Sequence, residues 1–139
     1  MDCIFCKIAQ KEINAYTIFE DSSVIAFLDI HPLALGHTVV IPKIHAENII
    51  DLPIELVNPI FLGVRHITKM IQDTLHPDGF TIGINHGKWA GQDMDHLHIH
   101  IIPRWKDDKG KSLHSIVQNP PKESLTETKN RIINNEHGN

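Results

Sequence analysis

Hydrophobic and polar positions recur along the chain with several different periods, and each period predicts an element. Ile4, Phe5 and Ile8 fall on one face of a short N-terminal helix. Residues 16–19 read as a strand, 20–23 as a polar turn and 24–29 as the returning strand, a hairpin with a four-residue connection. Residues 37–42 (His-Thr-Val-Val-Ile-Pro) predict a third strand, because β-branched side chains suit a pleated surface. From 53 to 76, Leu56, Ile60, Val64, Ile67, Ile71 and Leu75 recur at intervals of four, four, three, four and four, the buried stripe of one long helix. Pro59 lacks an amide hydrogen, so a kink is expected there, or a restart with Asn58 as cap. His66 in this segment reads as a surface or packing residue, and His76-Pro77-Asp78-Gly79 ends it. Residues 80–85 predict a fourth strand, and 86–92 a glycine-containing loop whose amides can approach an anion.

The sharpest alternation is in residues 96–102, His-Leu-His-Ile-His-Ile-Ile, closed by Pro103. Period two predicts a half-buried strand. Leu97, Ile99 and Ile101 then face a core, and His96, His98 and His100 face the other way. Along such a strand, neighbouring imidazoles stand about 6–7 Å apart, too far to bond one another and suited to a phosphate between them. A buried histidine with a satisfied hydrogen bond is the ordinary reading of one such residue, but it does not account for three on one face. Two chemical readings remain open: a metal site, and a nucleophilic histidine with histidine helpers acting on phosphorus.

Composition narrows the field. At 139 residues the chain is one domain by length, long enough to bury a core. A net charge of −4 argues against nonspecific nucleic-acid binding, which needs a basic surface. No apolar run reaches the length of a membrane span, and Met1 to Cys6 does not resemble a secretory signal, so the cytoplasm is the expected location. There, cysteines serve as thiols or metal ligands rather than as a structural disulfide. Cys3-x-x-Cys6 is half a zinc site; a redox reading would need a thioredoxin-like βαβ pattern, and none follows it. Residues 1–105 are expected to form the domain. Residues 106–139 form an extension: a mixed-charge loop, then a weak helix over about 122–134 with Leu125, Ile132 and Ile133.

Attack on a phosphorus ester or amide needs a neutral imidazole with one free nitrogen, the other N–H being held by an acceptor. His98, in the middle, is the best-placed nucleophile. His100 can contact a phosphate oxygen or help protonate the departing atom, and His96 is the other flank. Loop amides around residues 91–93 can stabilise the charge that develops on phosphorus.

His96 to Ile102 resembles the signature of the histidine triad (HIT) proteins. So do Ile4-Phe5-Cys6-Lys7-Ile8, Phe19-Glu20-Asp21, Ala26-Phe27-Leu28-Asp29-Ile30, His37, Val40-Ile41-Pro42-Lys43 with His45, Asn85 and Gly91-Gln92, in the family's order. Within the family, the chain is similar to the Hint branch of nucleotide-binding phosphoramidases. The resemblance implies an α+β fold: a five-stranded antiparallel sheet with one main helix and a short N-terminal helix, forming a homodimer. It implies a purine nucleotide as ligand and a nucleotidyl-histidine on His98. By position, Asp29 would hold the ribose, and Ile4, Phe5, Ile8, Phe27 and Ile30 would line the base pocket. Asn85, Gly91, Gln92, the backbone at Asp93, and His100 would hold the phosphate. Cys3, Cys6, His45 and His96 match a structural zinc site, which would leave the chemistry to His98 and His100 without a metal. Where many Hint members have Ser or Thr after Gly-Gln, this chain has Asp93, whose carboxylate cannot donate to phosphate. Either its amide alone serves, or the substrate differs. Two rival readings are a metalloenzyme with His96, His98 and His100 as ligands, and a noncatalytic nucleotide-sensing or scaffold protein that uses the tail as partner site.

Overall fold

Residues 2–137 are described by the computed structural model; Met1 and residues 138–139, the outer ends of the expected domain 1–105 and extension 106–139, lie outside them. The chain runs α1 (Ile4–Ala9), β1 (Thr17–Glu20), β2 (Val24–Leu28), β3 (Thr38–Pro42), α2 (Ile54–Leu75), β4 (Gly79–Gly83), β5 (Ile99–Arg104) and α3 (Leu125–His137). The five strands form one antiparallel sheet in the order β1-β2-β3-β5-β4. No helix among the described residues is long and apolar enough to cross a membrane.

The two faces of the sheet follow from the alternation. Val24, Ala26, Val40, Leu97, Ile99 and Ile101 pack with Ile60, Val64, Ile67 and Ile71 of α2. Gly63 brings that helix close, since a methyl group on it would stand 3.4 Å from Val24 Cγ1. On the other face, Ile25, Phe27, Val39 and Ile41 pack with Ile8 of α1. That short helix covers only part of this face, and beyond it lie the histidines. His66 packs its ring 4.9 Å from Phe19, a packing role as expected.

Two expectations are corrected. Pro59 does not restart the long helix, which runs unbroken from Ile54 to Leu75 with Asn58 inside it. Proline in the second turn forfeits one bond, to the carbonyl of Glu55, and the stripe that continues to Leu75 outweighs that loss. The histidine strand also differs: regular pairing begins at Ile99, so His96 and His98 sit on an irregular approach to β5. There Leu97 donates its N–H to Ala46 O, outside the ladder, at 2.7 Å. Pro103 does not close the strand, which continues to Arg104, because β3 begins opposite Ile101 and nothing on that side needs a proline N–H.

The extension carries its own capping box. Ser124 Oγ accepts from Glu127 N at 3.2 Å, and the Glu127 carboxylate accepts from Ser124 N at 2.8 Å, which starts α3. Its apolar residues stay outside the core, Leu125 being 81% and Ile132 67% exposed.

Candidate active site and metal cluster

Backbone groups fix the tautomers of His96, His98 and His37, and His37 in turn fixes that of His100. A carbonyl can only accept, so His98 Nδ1, 2.7 Å from His96 O, carries the proton and leaves Nε2 with its lone pair. No buried side-chain nitrogen or oxygen among the described residues lacks a partner, and His98 Nε2 bonds no protein group, so that atom opens to solvent. His96 Nε2 lies 3.0 Å from Pro42 O and carries its proton there, so Nδ1 is the bare nitrogen. His37 Nδ1 accepts the N–H of Leu33 at 3.1 Å, so its Nε2 is protonated and donates to His100 Nδ1 at 3.0 Å. His100 must then present its own N–H from Nε2.

Burial disfavours the charged form of His37, His96 and His100. It lowers the pKa of His100, helped by His98 and His37 and opposed by Asp29 and Asp93. It also lowers that of His37, against the pull of Asp29, and that of His96, against the Pro42 bond.

The structure sets Phe5 against His98 and places the other residues named from sequence as follows. Phe5 lies 5.2 Å from the His98 ring and 5.7 Å from Phe27. Ile8 and Phe27 are buried beneath, while Ile4 and Ile30 stay 48% and 71% exposed near the ends of α1 and β2. Asp29 accepts the N–H of His31 at 2.8 Å and stands 3.6 Å from His37 Nε2. Asn85 flanks Gly91, its amide nitrogen 3.7 Å from where a Cβ would be; Gly91 itself has φ +94°, a conformation that favours glycine.

The Gln92 side chain bonds the loop around it. Its Oε1 accepts from Gly87 N at 2.8 Å, and its Nε2 donates to Glu47 O at 2.7 Å and Met94 O at 2.9 Å. The side chain is fully engaged in holding the loop. Asp93 is exposed, and its backbone N–H makes no bond within the described residues. His37 was given no role from sequence. Beyond its place in the family resemblance, the signal there is that it stands in phase with Val39 and Ile41, on the face that carries Phe27.

The remaining histidine, His96, is fully buried and turns away from this opening. Its Nδ1 is 3.4 Å from Cys3 Sγ and 3.5 Å from Cys6 Sγ, and His45 Nδ1 is 3.3 Å from Cys6 Sγ. All four donor atoms lie within 4.8 Å of one another. Zinc with bonds of about 2.3 Å to sulfur and 2.0 Å to nitrogen sets tetrahedral S···N edges of about 3.5 Å, so the donor set fits that ion. The bare Nδ1 of His96, with Nε2–H on a carbonyl, is the usual arrangement of a zinc-bound imidazole. A second group, Asp29, His37 and His100, also clusters. It does not suit a metal, because Leu33 N–H on Nδ1 leaves His37 Nε2 protonated.

The sequence pattern of the HIT domain matches residues 10–107. The chain belongs to the HIT family. A HIT relative, Protein hit of Bacillus subtilis, is 43% identical over 109 residues, 78% of this chain and 75% of that protein. Adenosine 5'-monophosphoramidase HNT1 of Saccharomyces cerevisiae is 38% identical over 107 residues, 77% of this chain and 65% of that one. The crystal structure of a HIT family protein from Bacillus anthracis superposes with a TM-score of 0.86 at 34% identity, over 99% of this chain and 97% of that chain. A zinc-bound histidine triad family protein from Mycobacterium smegmatis superposes with a TM-score of 0.74 at 38% identity, over 88% and 86%.

Proposed function

We propose that this HIT protein hydrolyses purine nucleoside phosphoramidates or related nucleotidyl conjugates through a nucleotidyl-histidine on His98. One observation carries the reading: His98 Nδ1–H is held by the His96 carbonyl, so an unprotonated Nε2 faces the opening. Nε2 attacks the α-phosphorus and the bond to the leaving nitrogen or oxygen breaks. Water then attacks the same phosphorus and the bond to Nε2 breaks. Over both steps, water gives its hydroxyl to phosphorus and a proton to the leaving group. His100, locked as an Nε2–H donor by His37, hydrogen-bonds a phosphate oxygen or the departing atom.

Phe5, Ile8, Phe27 and the exposed Ile4 and Ile30 offer the base an apolar slot, and Asp29 is the acceptor for the ribose hydroxyls. Asn85, Gly91 and the Asp93 N–H supply donors to phosphate, with Gln92 holding their loop in shape. The 38% identity to HNT1 agrees with this substrate class. The same reading includes a structural zinc on Cys3, Cys6, His45 and His96, a cytoplasmic location, and a homodimer, for which β4 offers an outer sheet edge unpaired among the described residues.

The test is incubation with an adenosine phosphoramidate followed by intact-mass analysis. Wild type is expected to show a labile adenylyl adduct and turnover, and His98→Ala neither. Equal turnover by His98→Ala would remove the assignment.

A further inference from the structure

α1 contributes to two sites at once. Cys3 caps it and Cys6 sits in its first turn, the Cys3 sulfur accepting Cys6 N at 3.4 Å, and both thiols turn to His96. Phe5, between them in sequence, instead lies against Phe27 and against the His98 ring, and edge-on to His96 at 5.9 Å. The helix has six residues and buries only Ile8, with Cys3 buried at its cap. So short a helix has little stability of its own and must be held from outside.

His96 joins the two sites through three bonds. Nδ1 faces the thiols, Nε2–H holds Pro42 O, and the backbone carbonyl holds His98 Nδ1–H. We propose that His96 is a positioning residue for His98, and that a zinc ion on Cys3, Cys6, His45 and His96 clamps α1 onto it. Metal loading thus sets both the base slot and the aim of the nucleophile. The nucleotide half of this statement rests on the function proposed above; the mechanical half, α1 held by the metal, does not. With the ion bound, Phe5 stays packed on His98. Without it, α1 keeps only the buried Ile8 and the partly buried Phe5 and Ala9 against the sheet, and it loosens, taking the Phe5 wall away from the slot, while the β2–β3 core stays intact.

The experiment compares zinc-loaded and chelator-treated full-length protein by hydrogen exchange, AMP titration and steady-state kinetics. On zinc removal, exchange across Ile4–Ala9 is expected to rise by about tenfold or more, with β2 and β3 unchanged. AMP affinity is expected to fall and kcat to fall further than KM rises, because aim as well as binding is lost. His45→Ala should reproduce these changes, and His45→Cys, which restores a fourth zinc ligand, should reverse them. Unchanged exchange in α1 after zinc loss, failure of the protein to bind zinc, or a His45→Cys protein that holds zinc but does not recover protection would each overturn the clamp. If AMP binds neither form, the nucleotide reading fails, and the exchange of α1 still decides the clamp by itself.

Discussion

His37 donates from Nε2 to Nδ1 of His100 across 3.0 Å, and it can do so only because Leu33 N–H occupies its other nitrogen. A backbone amide in the loop before β3 therefore decides which nitrogen of His100 faces the opening. The arrangement needs no charge on either ring, which agrees with the downward pKa shifts that burial gives both.

Removing that donor tests the relay. In His37→Ala, His100 loses the partner of Nδ1 and is free to take the other tautomer, with Nδ1 protonated. Turnover of a phosphoramidate is expected to drop about 10- to 100-fold in kcat with little change in KM. His37→Gln, whose amide N–H can reach the same Nδ1, should recover part of the loss. Equal kcat for His37→Ala and wild type would show that the tautomer of His100 does not matter.

Stability should fall on the acid side. His37 and His100 have folded pKa values below the usual 6.5, so above that pH both are neutral, folded or unfolded, and contribute no slope. As pH falls through about 6.5 the unfolded chain takes up protons that the folded rings refuse, and unfolding becomes easier until the folded values are passed. Urea denaturation at pH 7.5 and 5.5 is expected to give a lower midpoint at 5.5. The difference should shrink when His37 is replaced by Gln, which does not titrate.

Gln92 should behave as a loop strut rather than a ligand. Gln92→Ala leaves Gly87 N, Glu47 O and Met94 O without their partner, a loss of about 1–2 kcal/mol in a partly exposed setting. Gln92→Glu keeps an acceptor for Gly87 N but turns a carboxylate on two carbonyl oxygens, so it should be no better than Ala. Thermal melts of the two variants check this; a Gln92→Glu protein as stable as wild type would contradict it.

What the sequence made legible is what local periodicity encodes. The stripe from Leu56 to Leu75 and the alternation Leu97-Ile99-Ile101 each named their own buried face and pack as read, while the β-branched run at Val39 to Ile41 named a strand that is buried on both faces. The zinc half-site Cys3-x-x-Cys6 was visible by spacing, but His45 and His96 were joined to it only through family resemblance, because chain distance says nothing about which imidazoles fold back onto it. The bonds of the Gln92 side chain were hidden for a similar reason: its partner Glu47 is 45 positions away. His37 was passed over because its role depends on one amide, Leu33 N, whose position a composition or a period does not carry. The strand limits at Ile99 and Arg104 depend on where β3 begins, again a fact about a neighbour.

Asp93 supplies a charge where an anion is expected to sit. It is exposed, it pulls the His100 pKa upward, and its own N–H is the donor a phosphate would use. A carboxylate near that N–H works against the ligand by Coulomb repulsion, weakened by water to about 1 kcal/mol or less. Asp93→Ser removes the charge and adds a hydroxyl donor. AMP binding is expected to tighten about 2- to 5-fold in dilute buffer, and the gain should shrink as salt is raised. A gain that persists at high salt would assign the effect to the new hydroxyl instead of the lost charge. No gain at any salt concentration would mean that Asp93 points away from the phosphate and that only its amide takes part.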